Sequence, residues 1–143
     1  MNREPSLNAF LLIKAYEGCR LKAYLDTGDV PTIGFGHTAG VKLGQTITKN
    51  QAEQFLWEDM HIASDYVNQL ISYPINQNQH DALTSFIFNL GPTQFSASTL
   101  RRTINKGLLA EAPIQFKRWV YDNGVKLNGL IKRREAEAKL FSS

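Results

Sequence analysis

Between Thr48 and Ile71 the apolar side chains Ala52, Phe55, Leu56, Met60, Ala63, Val67, Leu70 and Ile71 recur at intervals of three and four, which lays them along one face of a helix. Thr48-Lys49-Asn50-Gln51 opens that helix as a capping box, and Pro74 lies just beyond its end. Asn76, followed three residues later by Gln79, caps a second helix through Ala82, Leu83, Phe86, Ile87 and Leu90, stopped by Gly91-Pro92. Further helices are predicted from near Ser98, over about Leu108 to Val120, and from about Leu130 to Phe141. At the other end of the chain, the apolar helix containing Leu7, Phe10, Leu11, Leu12, Ile13 and Ala15 closes at Glu17, with Gly18 as its left-handed terminator.

The period changes after Gly18. A strand is predicted from Ala23 to Asp26, with Tyr24 and Asp26 on one face and Ala23 and Leu25 on the other. Thr27-Gly28-Asp29 has turn chemistry, and the chain returns from Val30 to His37 with Thr32, Gly34 and Gly36 on one face and Ile33 and Phe35 opposite. Thr32 is thereby brought near Asp26, beside a strip bare of side chains. Glycines weaken a strand, so this strip suits a backbone or ligand that must approach closely. The fold class is α+β and mostly helical: a single domain with a small lobe over about 7–47, a connecting helix over about 48–71 and a helical lobe over about 72–143.

Glu17 and Asp26 are two carboxyls presented by different elements. That pairing suits glycoside hydrolysis, in which one carboxyl protonates the leaving oxygen and the other handles the attacking water or the anomeric carbon. Glu17 emerges from an apolar helix, where partial desolvation favours the protonated acid, whereas Asp26 in a polar hairpin stays ionised.

The string from Glu17 to Thr38, with Glu, eight residues, Asp, five residues, Thr, then Ile33-Gly34-Phe35-Gly36-His37-Thr38, resembles the catalytic signature of the phage-type lysozymes, the endolysins or muramidases of tailed bacteriophages. Asn76 to Leu83, Ser85 to Gly91 and Gly129 to Glu137 extend the resemblance over nearly the whole chain, from about Leu7 to Phe141. It implies a lysozyme-like fold and cleavage of the β-1,4 bond between N-acetylmuramic acid and N-acetylglucosamine for host lysis. It assigns the general acid to Glu17, the water-positioning base to Asp26 and a water-holding hydroxyl to Thr32. It further implies that Thr38, Phe88, Asn89 and Thr99 face the glycan, and that the enzyme is a monomer needing neither cofactor nor metal. The same resemblance implies residence in the host bacterial cytoplasm until a holin opens the membrane, and action on peptidoglycan in the periplasm.

Composition narrows this picture modestly. At 143 residues, with 43% hydrophobic and 20% charged positions, the chain has ordinary globular make-up. Its one cysteine, Cys19, excludes an intramolecular disulfide, and the absence of an identifiable base nearby argues against a thiol nucleophile. The apolar run Leu7 to Ile13 is too short for a secretory signal or a membrane span, so stable membrane insertion is not expected. His37, His61 and His80 lack metal-ligand spacing: His37 is expected to brace the hairpin and the other two to lie on helix surfaces. Trp57 and Trp119 fall at helical spacing and are expected to pack.

Charge divides unevenly. Residues 72–143 hold ten Lys and Arg against five acids, +5, while residues 1–71 hold six against eight, −2. A positive field of that kind favours anionic polymers such as peptidoglycan, with Arg133 or Arg134 also placed to reach Glu17. Two other function classes are compatible with parts of the chain. A lytic transglycosylase needs only one acid, leaving Asp26 and Thr32 without a role; a basic module binding membranes or nucleic acid leaves the first 40 residues unexplained. The muramidase reading accounts for both, and no nucleic-acid partner is expected.

Overall fold

The computed structural model describes residues 2–143. Helix α1 (Leu7–Tyr16) is capped by the Ser6 side chain and leads into a hairpin of β1 (Arg20–Leu25) and β2 (Pro31–Gly34). Helix α2 (Lys49–Leu70) and α3 (Gln77–Leu90) both begin with complete capping boxes, Thr48 with Gln51 and Asn76 with Gln79. There follow α4 (Pro92–Ser96), α5 (Thr99–Asn105), a 3-10 turn (Leu109–Glu111), α6 (Ala112–Phe116), a second hairpin of β3 (Tyr121–Asp122) and β4 (Val125–Lys126), and α7 (Asn128–Phe141).

Several local expectations are revised. Helix α1 is ended by Glu17 itself, which turns extended at φ −94° and ψ 129° while its amide still donates to the Ile13 carbonyl; Gly18 does not take a positive φ. Strand β1 starts three residues early because its far edge also pairs, Ala23 N–H donating to Gln45 O and Ile47 N–H to Leu21 O. The returning strand stops at Gly34. Gly34 at φ 67° and Gly36 at φ 81° are left-handed turn residues that fold His37 back on Ile33 through two 2.9 Å hydrogen bonds. They therefore serve a tight turn rather than one face of a longer strand.

The predicted 108–120 helix is broken. A proline inside a helix lacks the amide and clashes with the preceding turn, so Pro113 is accommodated only in the first turn of a new, short α6. Beyond it, Asn123 at φ 49° and Gly124 at φ 78° form the reversal between β3 and β4, an Asn-Gly hairpin signal legible in the sequence. Pro92 likewise starts α4 as soon as Gly91 has ended α3.

Two packed clusters hold these elements. On the helical side Phe86 is fully buried and meets the rings of Phe95, Phe116 and Trp119 edge-on at 5.9, 5.5 and 5.7 Å between centroids. On the hairpin side Ala9, Phe10 and Ile13 of α1 pack with Phe35 and with Ala52, Leu56 and Met60 of α2, and Trp57 stacks on Phe10 at 4.8 Å. Phe88 packs against both clusters.

His37 braces the hairpin turn as expected: Nδ1 lies 2.8 Å from Asp59 of α2 and the ring stacks on Phe55. His61 is half-buried, with Nδ1 on the Trp57 carbonyl at 2.7 Å. His80 is not a surface residue. It is 1% exposed, lies 2.7 Å from Ser64 Oγ, and burial pushes its imidazole down to about 4. Beside it, buried Asp81 accepts the backbone amide and hydroxyl of Ser6, clamping the start of α1 onto α3. Among the described residues no helix is long and apolar enough to cross a membrane.

Candidate active site

Glu17 leaves the end of α1 with its side chain 23% exposed, and its two oxygens have different surroundings. Oε2 accepts a 2.6 Å bond from Nη1 of Arg133 on α7. Oε1 faces the hairpin turn at Gly36, where a Cβ would come within 3.5 Å of it. One oxygen is thus held by α7 and the other looks toward bare backbone. The sequence places Glu17 in the small lobe; through Arg133 and the Ser6 clamp, both ends of its helix are tied to α7 and α3.

Arg133 is held in a buried cluster of charge. It also donates to the Ser85 carbonyl and hydroxyl from Nη2 at 3.2 and 3.3 Å, and to Glu137 Oε2 from Nε at 3.4 Å. Glu137 and Arg134 are both 0% exposed. Glu137 Oε2 further accepts from Ser85 Oγ at 2.6 Å and Arg134 Nη2 at 3.2 Å; Arg134 Nε approaches Oε1 at 2.8 Å, too misaligned for a hydrogen bond, as an ionic contact. Arg134 Nη2 also donates to Asn89 Oδ1 at 2.8 Å, and its guanidinium lies over the Phe86 ring. Burial pushes the Glu137 carboxyl up and the Arg134 guanidinium down from their ordinary values, each opposed by the other's charge. Two acids and two bases make the set neutral, which is the condition for burying it.

Sequence reasoning missed Glu137, although a signal exists. On α7 the core-facing positions run Arg133, Arg134, Glu137, Ala138 and Phe141, so charged residues occupy a stripe that should be apolar.

Asp26 follows β1, half-buried, and Oδ1 accepts the amides of Gly28 at 2.8 Å and Val30 at 2.9 Å. These bonds fix its carboxylate on the turn. Thr32 pairs with Tyr24 across the hairpin, so it shares a face with Tyr24 and Asp26 and lies diagonal to Asp26. It is 3% exposed, and its hydroxyl donates to the Val30 carbonyl at 2.8 Å, leaving its oxygen free to accept.

The four residues implied to face the glycan are distributed over three cavities. Thr38 and Phe88 line one of about 340 Å³ between hairpin turn and helices, together with Gly36 and Asp59. Asn89 borders a second of about 520 Å³ with Trp119, Tyr121 and Leu127. Thr99 borders a third of about 300 Å³ with Arg118 and Trp119, and its hydroxyl accepts from Arg102 at 3.0 Å. Gly36 connects the first cavity to Glu17. A larger cavity of about 650 Å³, under Arg3, Asn68, Tyr73 and His80, contains none of the candidate residues. Cys19 is a free, exposed thiol.

The chain as a whole is similar to known proteins. The chain is 44% identical to an endolysin of Acyrthosiphon pisum secondary endosymbiont phage 1 over 96% of its own length and 97% of that protein's. Among solved structures, the muramidase domain of SpmX from Asticaccaulis excentricus superposes with a TM-score of 0.93 at 36% identity, covering 99% of each chain. A variant of phage P22 lysozyme superposes with a TM-score of 0.86 at 37% identity, again over 99% of each chain. The family model described as phage lysozyme matches residues 14–137, a span that takes in Glu17, both hairpins and the buried charges of α7. The chain belongs to the phage lysozyme family and is a glycoside hydrolase.

Proposed function

We propose that this enzyme hydrolyses the β-1,4 bond between N-acetylmuramic acid and N-acetylglucosamine in peptidoglycan and lyses the host, with Glu17 as general acid. The observation that carries this reading is the split environment of Glu17: one oxygen fixed by Arg133 and the other aimed past Gly36 at a side-chain-free turn. Gly36 puts no side chain beside Oε1, where a Cβ would stand 3.5 Å away, and this supports the approach of a glycosidic oxygen to that atom. Asp26 serves as the base that orients the attacking water. Two amides hold its Oδ1 and so orient the carboxylate, and Thr32 Oγ1, whose hydroxyl donates a hydrogen bond to the Val30 carbonyl, accepts from that water. Attack by a held water inverts the anomeric carbon, so a β-linked glycan releases the α-anomer first. Phe88 and Thr38 line the glycan cleft. The enzyme works as a monomer, and holin-mediated release carries it to the wall.

The test is digestion of purified sacculi by wild type, Glu17→Gln and Cys19→Ser, with mass analysis of the fragments. Hydrolysis adds one water per cut, whereas a transglycosylase releases anhydro sugars and a binding module releases nothing. Glu17→Gln is expected to lose about 10²–10⁴-fold in rate, the usual contribution of general acid catalysis, and Cys19→Ser to stay active. More than a tenth of wild-type activity in a folded Glu17→Gln protein rejects the assignment.

A further inference from the structure

Arg133 is gripped from both sides. Glu17 takes Nη1 at 2.6 Å, while Glu137 takes Nε at 3.4 Å and Ser85 receives Nη2. Glu137 is in turn held by Arg134, which is anchored to Asn89 on α3. Five side chains from three elements of the fold therefore form one connected path, Glu17–Arg133–Glu137–Arg134–Asn89. The path places a second, fully buried carboxylate in competition with Glu17 for one guanidinium.

We propose that Glu137 and Arg134 are positioning residues for the glycosidase reaction: their pair shares Arg133 with Glu17 and thereby sets how readily Glu17 holds the proton it donates. The physics is a tug on one cation. With Glu137 in place, part of the Arg133 charge is answered from behind and Glu17 can take up a proton without leaving Arg133 buried and unpaired. Without it, two guanidiniums face a single carboxylate. Glu17 is bonded directly to Arg133 and through it to Glu137 and Arg134, all on α7; α3 contributes the uncharged Ser85 and Asn89, and the hairpin contributes the Gly36 backbone and carries the carboxylate of Asp26, which is the same in every variant. The geometry thus gives opposite signs to two substitutions.

Glu137→Gln removes the competing negative charge, so Glu17 loses its proton at lower pH and the alkaline limb of the kcat profile moves down. Arg134→Gln leaves Glu137 with Arg133 alone, weakens the grip on Glu17, and moves the same limb up. Each shift is expected to be about one pH unit, and above the limb this is about tenfold in kcat. KM should stay within about twofold, because neither side chain is placed to touch the glycan.

The inference rests on Glu17 being the acid, and the experiment separates the two. The pH profiles of kcat and KM are measured for full-length wild type, Glu137→Gln, Arg134→Gln and Glu137→Asp, alongside carbon-13 NMR titration of the Glu17 carboxyl in each. Opposite shifts in the two Gln variants, with Glu137→Asp close to wild type, support the proposal. Limbs that stay put in folded variants, or that move the same way, overturn it. If Glu137→Gln does not fold, the upward shift of Arg134→Gln and the rescue by Glu137→Asp decide. If Glu17→Gln keeps its activity, the general-acid assignment falls, and the NMR titration still reports whether Glu137 governs protonation at Glu17.

Discussion

Stability should fall as pH drops from about 6.5 to about 4, and His80 should account for a separable part of the loss. Its imidazole is 1% exposed, against Ser64, and is held down to about 4 chiefly by burial, with Arg3 acting in the same direction and Asp81 opposing. In the unfolded chain it titrates near 6.5. Between those values the unfolded state binds a proton that the native state refuses, so stability rises with pH through the window and is lost on acidification. A folded value depressed from 6.5 to about 4 corresponds to at most about 3 kcal/mol, with a slope approaching about 1.4 kcal/mol per pH unit inside the window. That is a large share of the roughly 5–15 kcal/mol by which domains of this kind are stable. The measurement is urea unfolding of wild type and His80→Gln at pH 7, 6, 5 and 4.5, monitored by tryptophan fluorescence. His80→Gln should be weaker at pH 7 because packing around the ring is lost. The gap between the two proteins should then narrow steadily toward pH 4.5, because the carboxylates that also titrate there are common to both. Parallel curves would show that His80 does not carry the linkage and would refute the reasoning.

Two further outcomes are expected from packing and charge. Phe86→Ala removes the ring that Phe95, Phe116, Trp119 and Arg134 all pack against, and should cost roughly 3–5 kcal/mol by urea unfolding, while leaving the hairpin intact by NMR. Binding of a Glu17→Gln protein to sacculi should weaken steeply with salt, since exposed charges interact over about 10 Å at 0.1 M and about 3 Å at 1 M; Lys117→Glu with Lys126→Glu should lower the affinity and flatten that dependence, and equal binding at low salt would show these lysines to be only a solvated face.

Part of the positive charge of residues 72–143 is not available at the surface. Arg133 and Arg134 are buried and matched by Glu17 and Glu137, and Arg101 donates to the Leu70 and Ser96 carbonyls, so none of the three contributes a free cation to the surface. A sequence count cannot separate such residues from Lys117, Arg118 and Lys126, which are exposed. The same distinction explains His80. Its surroundings come from Ser64 on α2 and from Arg3 before α1, positions that no periodicity within α3 brings together.

Where an element is governed by its own residues, the sequence was sufficient. Thr48 with Gln51 and Asn76 with Gln79 form the capping boxes their spacing demands, and the helices they open run to the ends anticipated for them. Where two local signals compete, the stronger steric one prevails: Pro113 divides the apolar run from Leu108 to Val120, and Asn123-Gly124 reverses the chain between Tyr121 and Lys126. The glycines of the first hairpin show a subtler case. Period-two counting sets Gly34 and Gly36 on one strand face, and their lack of side chains was indeed the informative property, but a positive φ at both turns the strand into a tight reversal instead.

That reversal meets Glu17 from one side while α7 meets it from the other. Glu17 lies nineteen residues before Gly36 in the chain and 116 before Arg133, and its two oxygens are divided between them. The near partner belongs to a motif and is legible; the distant one is fixed by where α7 packs against α3, which depends on Phe86, Ala138 and Phe141 closing the core around charged residues. Because Arg133, Arg134, Ser85 and Glu137 sit in that core, the Glu17 carboxyl is held by the same helices that would otherwise be expected to bury only hydrocarbon. A change to the packing of α7 should therefore reach kcat through Arg133 without touching the cleft.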